Sequence, residues 1–161
     1  MLPLVVVALH VFAVILWIGS IVSAGWMLAN RASAPTPEQG KAAAELALGL
    51  YRRVAAPAFV LAFSAGLVRL LMDREVYLKA HWFHGKLTLA VAVIALHHIL
   101  GARAARAVKA SNSAQPSGES SGAASKGRSG PGGSEGILTA SLVLCALGVV
   151  VLVVLKSSLV P

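Results

Sequence analysis

Five side chains with basic nitrogen stand inside long apolar runs of this sequence: His10, His84, Lys86, His97 and His98. Ionisable groups at membrane depth are costly, so they turn toward a bundle interior or a partner. Imidazole ligates haem iron and copper well. A lysine amine ligates only after giving up its proton. Two such nitrogens on different helices can hold a metal cofactor between them. Carboxylates on that cofactor would pair with Arg69, or with Arg52 and Arg53. Other chemistries lack their residues. There is no phosphate-binding glycine loop and no acidic pair for hydrolysis, because Asp73 and Glu75 stand among Arg74 and Lys79 as surface charges. Cys145 is the single cysteine, which excludes an intrachain disulfide and a cysteine-based metal motif.

The runs that carry these residues set the class of the protein. Of 161 residues, 57% are apolar and only 12% charged, with a mean hydropathy of +0.79. A soluble domain is about 45–50% apolar and about 25% charged. The composition excludes an ordinary soluble globule, a disordered chain and a collagen-like fibre. The expected fold is all-α, a single integral membrane domain over 1–161 with four transmembrane helices at about 3–28, 54–72, 82–102 and 137–155. The first has no Asp, Glu, Lys or Arg up to Asn30. A cleaved signal peptide would need a basic start and a shorter apolar stretch, although Ala32-Ser33-Ala34 imitates a cleavage site. A helix leading into the second span can begin as early as Pro37 or Glu38, and Pro57 should kink it where Arg52 and Arg53 enter the membrane. The Ser/Gly-rich stretch 111–136 reads as a flexible, disordered linker without chemistry.

The net charge of +8 reflects topology rather than nucleic acid, because the basic residues sit between apolar runs. The loop after the first span and the loop after the third hold Arg31, Lys41, Arg52, Arg53, Arg103, Arg106, Lys109, Lys126 and Arg128. The opposite side holds Arg69, Arg74, Lys79 and Lys156. Nine against four puts loops 1 and 3 in the cytoplasm and both termini outside.

That topology fixes depth. At about 1.5 Å per residue, His10 lies roughly 10 Å below the outer end of the first helix and Lys86 roughly 6 Å below that of the third. His10, His84 and Lys86 share the outer leaflet; His97 and His98 lie about 20 Å deeper. At about 100° per residue, Lys86 and His97 fall on one face of the third helix, and His84 and His98 nearly opposite. His10 and Trp17 share a face of the first. Each residue also has a plainer reading. His10 can be a packing residue bonded to a neighbouring helix. Lys86 can snorkel to the headgroups, and Arg52 and Arg53 can serve topology alone. His81, Trp82 and Tyr77 suit an interfacial belt, and the glycines suit close helix contact.

Several of these residues resemble a known family. Ala8-Leu9-His10 with Trp17, Arg52-Arg53 followed by Pro57-Ala58, and above all Trp82-Phe83-His84-Gly85-Lys86-Leu87 with His97 eleven residues after the lysine, are similar to the membrane-embedded protoporphyrinogen IX oxidases of the HemJ type. Ala24-Gly25-Trp26-Met27 departs from the family's Leu-Pro-Arg, and Leu96 from its tyrosine. The resemblance implies a four-helix protein of the bacterial inner membrane that oxidises protoporphyrinogen IX to protoporphyrin IX with haem b. It implies His10 and Lys86 as axial ligands and His84, His97 and Arg53 as supporting catalytic residues. The expected partners are the porphyrinogen, membrane lipid, a quinone or respiratory-chain electron acceptor and a second copy in a homodimer. Leu16-Trp17-Ile18-Gly19 also resembles the wider CopD-like group associated with copper handling. In that alternative His10, His84 and His97 or His98 form copper stepping sites. A third reading is a cofactor-free membrane subunit.

Overall fold

The computed structural model describes residues 2–113 and 132–154, and among these there is no strand. The all-α expectation therefore holds. Helix α1 (Leu2–Asn30) ends in a short 3-10 turn, Arg31–Ser33. Helix α2 (Pro37–Leu50) starts where the sequence allows it: the Thr36 hydroxyl accepts from the Gln39 backbone N–H at 3.3 Å, and Pro37 occupies the first turn. There a missing N–H costs nothing. A π-helical turn, Tyr51–Ala55, leads without a break into α3 (Ala56–Met72). Pro57 cannot donate to the carbonyl of Arg53, and its ring crowds that carbonyl. One widened turn absorbs both problems, so the irregularity expected at Pro57 lies just ahead of it. Helix α4 (Arg74–Lys79) turns the chain into α5 (His81–Ser113), and α6 (Gly132–Val154) completes the described chain. Helix α5 thus runs into the stretch read as linker, and α6 begins inside it. The rest of that linker, 114–131, and the end of the fourth expected span lie outside the described residues.

Helix α1 is the central element. It packs against α2, the π turn and α3 on one side and against α6 on another, while α5 packs on α6 and α2. Helices α3 and α5 are not neighbours along their length. Lipid provides no hydrophobic drive between helices, so small residues that permit close approach dominate such contacts. Ala13, Ala24, Ala58, Ala62 and Ala65 are buried accordingly, and Ile21, Leu28, Leu100 and Leu142 fill the remaining core. The outer faces are apolar. Leu4 is 74% exposed, Leu71 64% and Leu144 67%, far more than water tolerates on a small protein. Three helical stretches, Leu2–Ser33, Pro37–Met72 and His81–Ser113, are long and apolar enough to cross a membrane, and α6 contributes a shorter apolar stretch, Gly136–Val151. The chain has the character of a membrane protein.

Gly101 on α5 admits the ring of Tyr51, since a Cβ there would fall 2.6 Å from Tyr51 Cε1. Gly101→Ala should destabilise the fold by about 1–3 kcal/mol through overpacking. Unfolding in mixed detergent micelles measures this, and adding Tyr51→Leu should recover most of the loss.

Candidate functional site between α1, α3 and α5

Helix α5 has one buried stripe. Val93, His97, Leu100, Gly101, Ala104 and Ala107 recur at helical spacing, and half-buried Lys86 continues the stripe toward the start of the helix. His84 and His98 are exposed on other faces. Of the two faces left open by the sequence, the one shared by Lys86 and His97 faces inward.

Two nitrogen centres stand against α1. In the upper one, His10 Nδ1 lies 2.7 Å from the carbonyl oxygen of Ala62 on α3. A carbonyl only accepts, so Nδ1 carries the proton and donates. In the neutral ring this leaves the lone pair on Nε2, the arrangement that metal-ligating histidines use. Gly66, one turn after Ala62, makes room: a Cβ there would sit 2.9 Å from His10 Cε1 and 3.1 Å from Nδ1. The ammonium of Lys86 lies within Coulombic reach of the His10 ring. The carbonyl of Ala62 on α3 thus holds His10 in place, and Lys86 lies on the partly buried side of α5.

In the lower centre, His97 is only 2% exposed. The indole N–H of Trp17 donates to His97 Nδ1 at 3.1 Å. Its neighbours are aromatic: Tyr51 at a ring distance of 4.8 Å and 31°, Phe59 at 5.0 Å and 32°. The ring of His98 stands at 5.1 Å, nearly perpendicular. The sequence placed Trp17 on the His10 face of α1 and His97 on the Lys86 face of α5, but not Tyr51 or Phe59 beside them. The one available signal was Gly101, four residues after His97 and hence on its face.

Of the remaining expected residues only His98 borders one of these centres. His84 Nε2 donates to the Leu78 carbonyl at 3.0 Å and pins the corner between α4 and α5. His98 Nδ1 donates to Ile94 O in its own helix at 2.8 Å. Arg52 and Arg53 are exposed on the π turn. Arg69 is engaged at the outer corner, paired with Asp73 and standing 5.4 Å over the Tyr77 ring. Tyr77, Trp82 and Phe83 form an aromatic cluster there, the composition expected of a membrane interface. Among the described residues, no three His, Cys, Asp or Glu side chains gather in a metal-binding group.

Trp17→Phe keeps an aromatic ring but removes the only protein donor to His97 Nδ1 seen among the described residues. Leaving that acceptor unsatisfied should cost about 1–3 kcal/mol, read as reduced resistance to unfolding in detergent.

No family model, curated protein or solved structure matches this chain.

Proposed function

We propose that the protein is a haem-b-binding oxidoreductase of the bacterial inner membrane that oxidises protoporphyrinogen IX to protoporphyrin IX. The observation that supports it most directly is His10: its Nδ1–H is committed to the Ala62 carbonyl, its Nε2 is left for a ligand, and Lys86 of α5 lies within Coulombic reach. The donor set fits a haem. Two nitrogen ligands on separate helices suit an iron whose other four ligands come from the porphyrin, whereas a copper site built from protein alone needs a larger cluster. His10 and Lys86 would hold the group, which when bound supplies one-electron chemistry.

The chain's own contribution is orientation and exclusion. Ala62 and Gly66 fix the His10 ring. Trp17 and Phe59, in contact at 5.0 Å, would add an apolar wall further along α1 and α3. Lys86 must shed its proton before its amine can ligate. His97, with its proton on Nε2, would offer a fixed donor, and exposed Arg53 is left for substrate, while His84 is engaged with the Leu78 carbonyl and would act only from that corner. In this reading α6 is the fourth span, loops 1 and 3 face the cytoplasm and both termini lie outside, following the basic residues. The exposed apolar faces leave room for lipid and for a second copy.

Purified protein should show a Soret band that His10→Ala and Lys86→Met each abolish or shift. An unchanged spectrum in His10→Ala rejects His10 as a ligand. Gly66→Ala should retain haem but alter the Soret position or the electron paramagnetic resonance g-values, because the added methyl displaces the ring. Complementation of a strain lacking protoporphyrinogen oxidase tests the reaction itself. Failure despite good membrane expression removes the enzyme reading.

A further inference from the structure

Two layers of the bundle, one above the other, are built differently. The lower layer joins Trp17 of α1, Phe59 of α3 and His97 of α5. Trp17 stands 5.0 Å from Phe59 and 5.8 Å from His97, and Phe59 stands 5.0 Å from His97. One face of α1 therefore looks into the seam between α3 and α5, and rings from both of those helices close it. Trp17 is 8% exposed and His97 2%. Seven residues make two helical turns, roughly 10 Å along an axis at nearly the same angular position. Seven residues toward the α4 corner from each member stand His10, Gly66 and Ala90. His10 and Gly66 are in register, since a Cβ on Gly66 would fall 2.9 Å from His10 Cε1. Ala90 lies on the face of α5 that carries Lys86 and His97. The positions from which Phe59 and His97 close the lower layer thus carry no ring in the upper one. All three residues of the upper layer are half-buried, so it is not sealed. Helix α1 packs on α3 and on α6, and α6 packs on α5, but α3 and α5 are not packed along their length. Three walls of the bundle are closed and the fourth is open. The end above is spanned by the α4 corner, where Tyr77, Trp82 and Phe83 cluster and His84 holds the Leu78 carbonyl. The way to His10 is therefore from the side, past Phe63, Leu67 and Val91, which are exposed and apolar.

We infer that the seam between α3 and α5 at this layer is a lateral portal through which haem passes between the bilayer and the His10–Lys86 site. Phe59 and His97 form its floor, and Gly66 and Ala90 its two jambs. The inference rests on the haem reading above and adds a route to it. A porphyrin is a flat, largely apolar disc that partitions into lipid, and its width calls for a slot between helices. Jambs that carry no side chain, or a single methyl group, leave such a slot where a ring from either helix would bar it.

The test follows loading rather than turnover. Full chain produced under haem limitation and placed in nanodiscs is mixed with haemin-loaded lipid vesicles, and the growth of the Soret band is timed. Ala90→Trp puts a ring where the lower layer has one. It should slow loading by about tenfold or more, the scale of the barrier that an overpacked contact adds, and leave the final Soret position unchanged, because Ala90 is not a ligand. Leu144→Trp, on the exposed face of α6, should load at the parent rate. Should Ala90→Trp fail to fold, a nitroxide label decides. Attached at Ala90→Cys in a Cys145→Ser background, it should collide with oxygen and not with a water-soluble nickel chelate, and haem loading should shield it. Equal loading rates in Ala90→Trp and the parent, or a label at position 90 that is shielded from oxygen before loading or unaffected by it, overturn the inference and leave the haem reading standing. No Soret band in the parent at any haemin concentration rejects the haem reading, and the portal falls with it.

Discussion

The donation from the Trp17 indole to His97 Nδ1 is the contact on which the rest of the arrangement depends. In a bilayer, apolar side chains gain little by choosing one neighbour over another, so helices slide and rotate easily unless something directional stops them. This bond joins α1 and α5 across eighty residues of chain, and those helices share few other contacts. Together with the packing of α5 on α6 and α2, it turns Lys86 and His97 inward and leaves His84 and His98 outside. It also sets the register that brings Lys86 toward His10.

The second directional contact, from His10 to the Ala62 carbonyl, works only because the backbone of α3 comes close. That closeness is built from absent atoms: alanines along α1 and α3, and Gly66 under the imidazole. Gly101 does the same for Tyr51 on the other side of His97. The π turn supplies the remaining freedom. Without the extra residue per turn, Pro57 would press on the Arg53 carbonyl, and Tyr51 would rotate away from α5.

Much of this was legible in the sequence, for physical reasons that differ from residue to residue. Apolar runs long enough to cross a bilayer are a strong signal, and the early start at Pro37 or Glu38 was visible from the Ala/Leu-rich stretch Lys41–Leu50; the Thr36 cap was not. Helical periodicity paired Lys86 with His97 and His10 with Trp17. Periodicity gives a face but not its direction, so which side of α5 is buried required its neighbours. His84 shows the limit. Depth alone groups it with His10 and Lys86, but its ring has a nearer carbonyl at Leu78, a contact created by the α4 corner. Tyr51 and Phe59 were invisible as a pair, because a π turn between them breaks the 3.6-residue period that would have put them on one face. The widened turn was traceable only as an expected kink at Pro57.

The continuous helix Pro37–Met72 has 36 residues and α5 has 33. At about 1.5 Å per residue each is roughly 50 Å long, against a hydrocarbon core of about 30 Å. Both are therefore longer than such a core is thick, and the excess of the two lies side by side, since α2 packs on α5. The overhanging segments bury Ala44, Ala47, Ala104 and Ala107 beneath a coat of Glu38, Lys41, Glu45, Arg106 and Lys109. This molecule thus has two solvents and two sets of cohesive forces. Its apolar half is held by shape and a few directional bonds, while the other end is a helix pair with an alanine seam and a charged coat. Urea and salt should act more strongly on that charged end than on the half that carries the histidines.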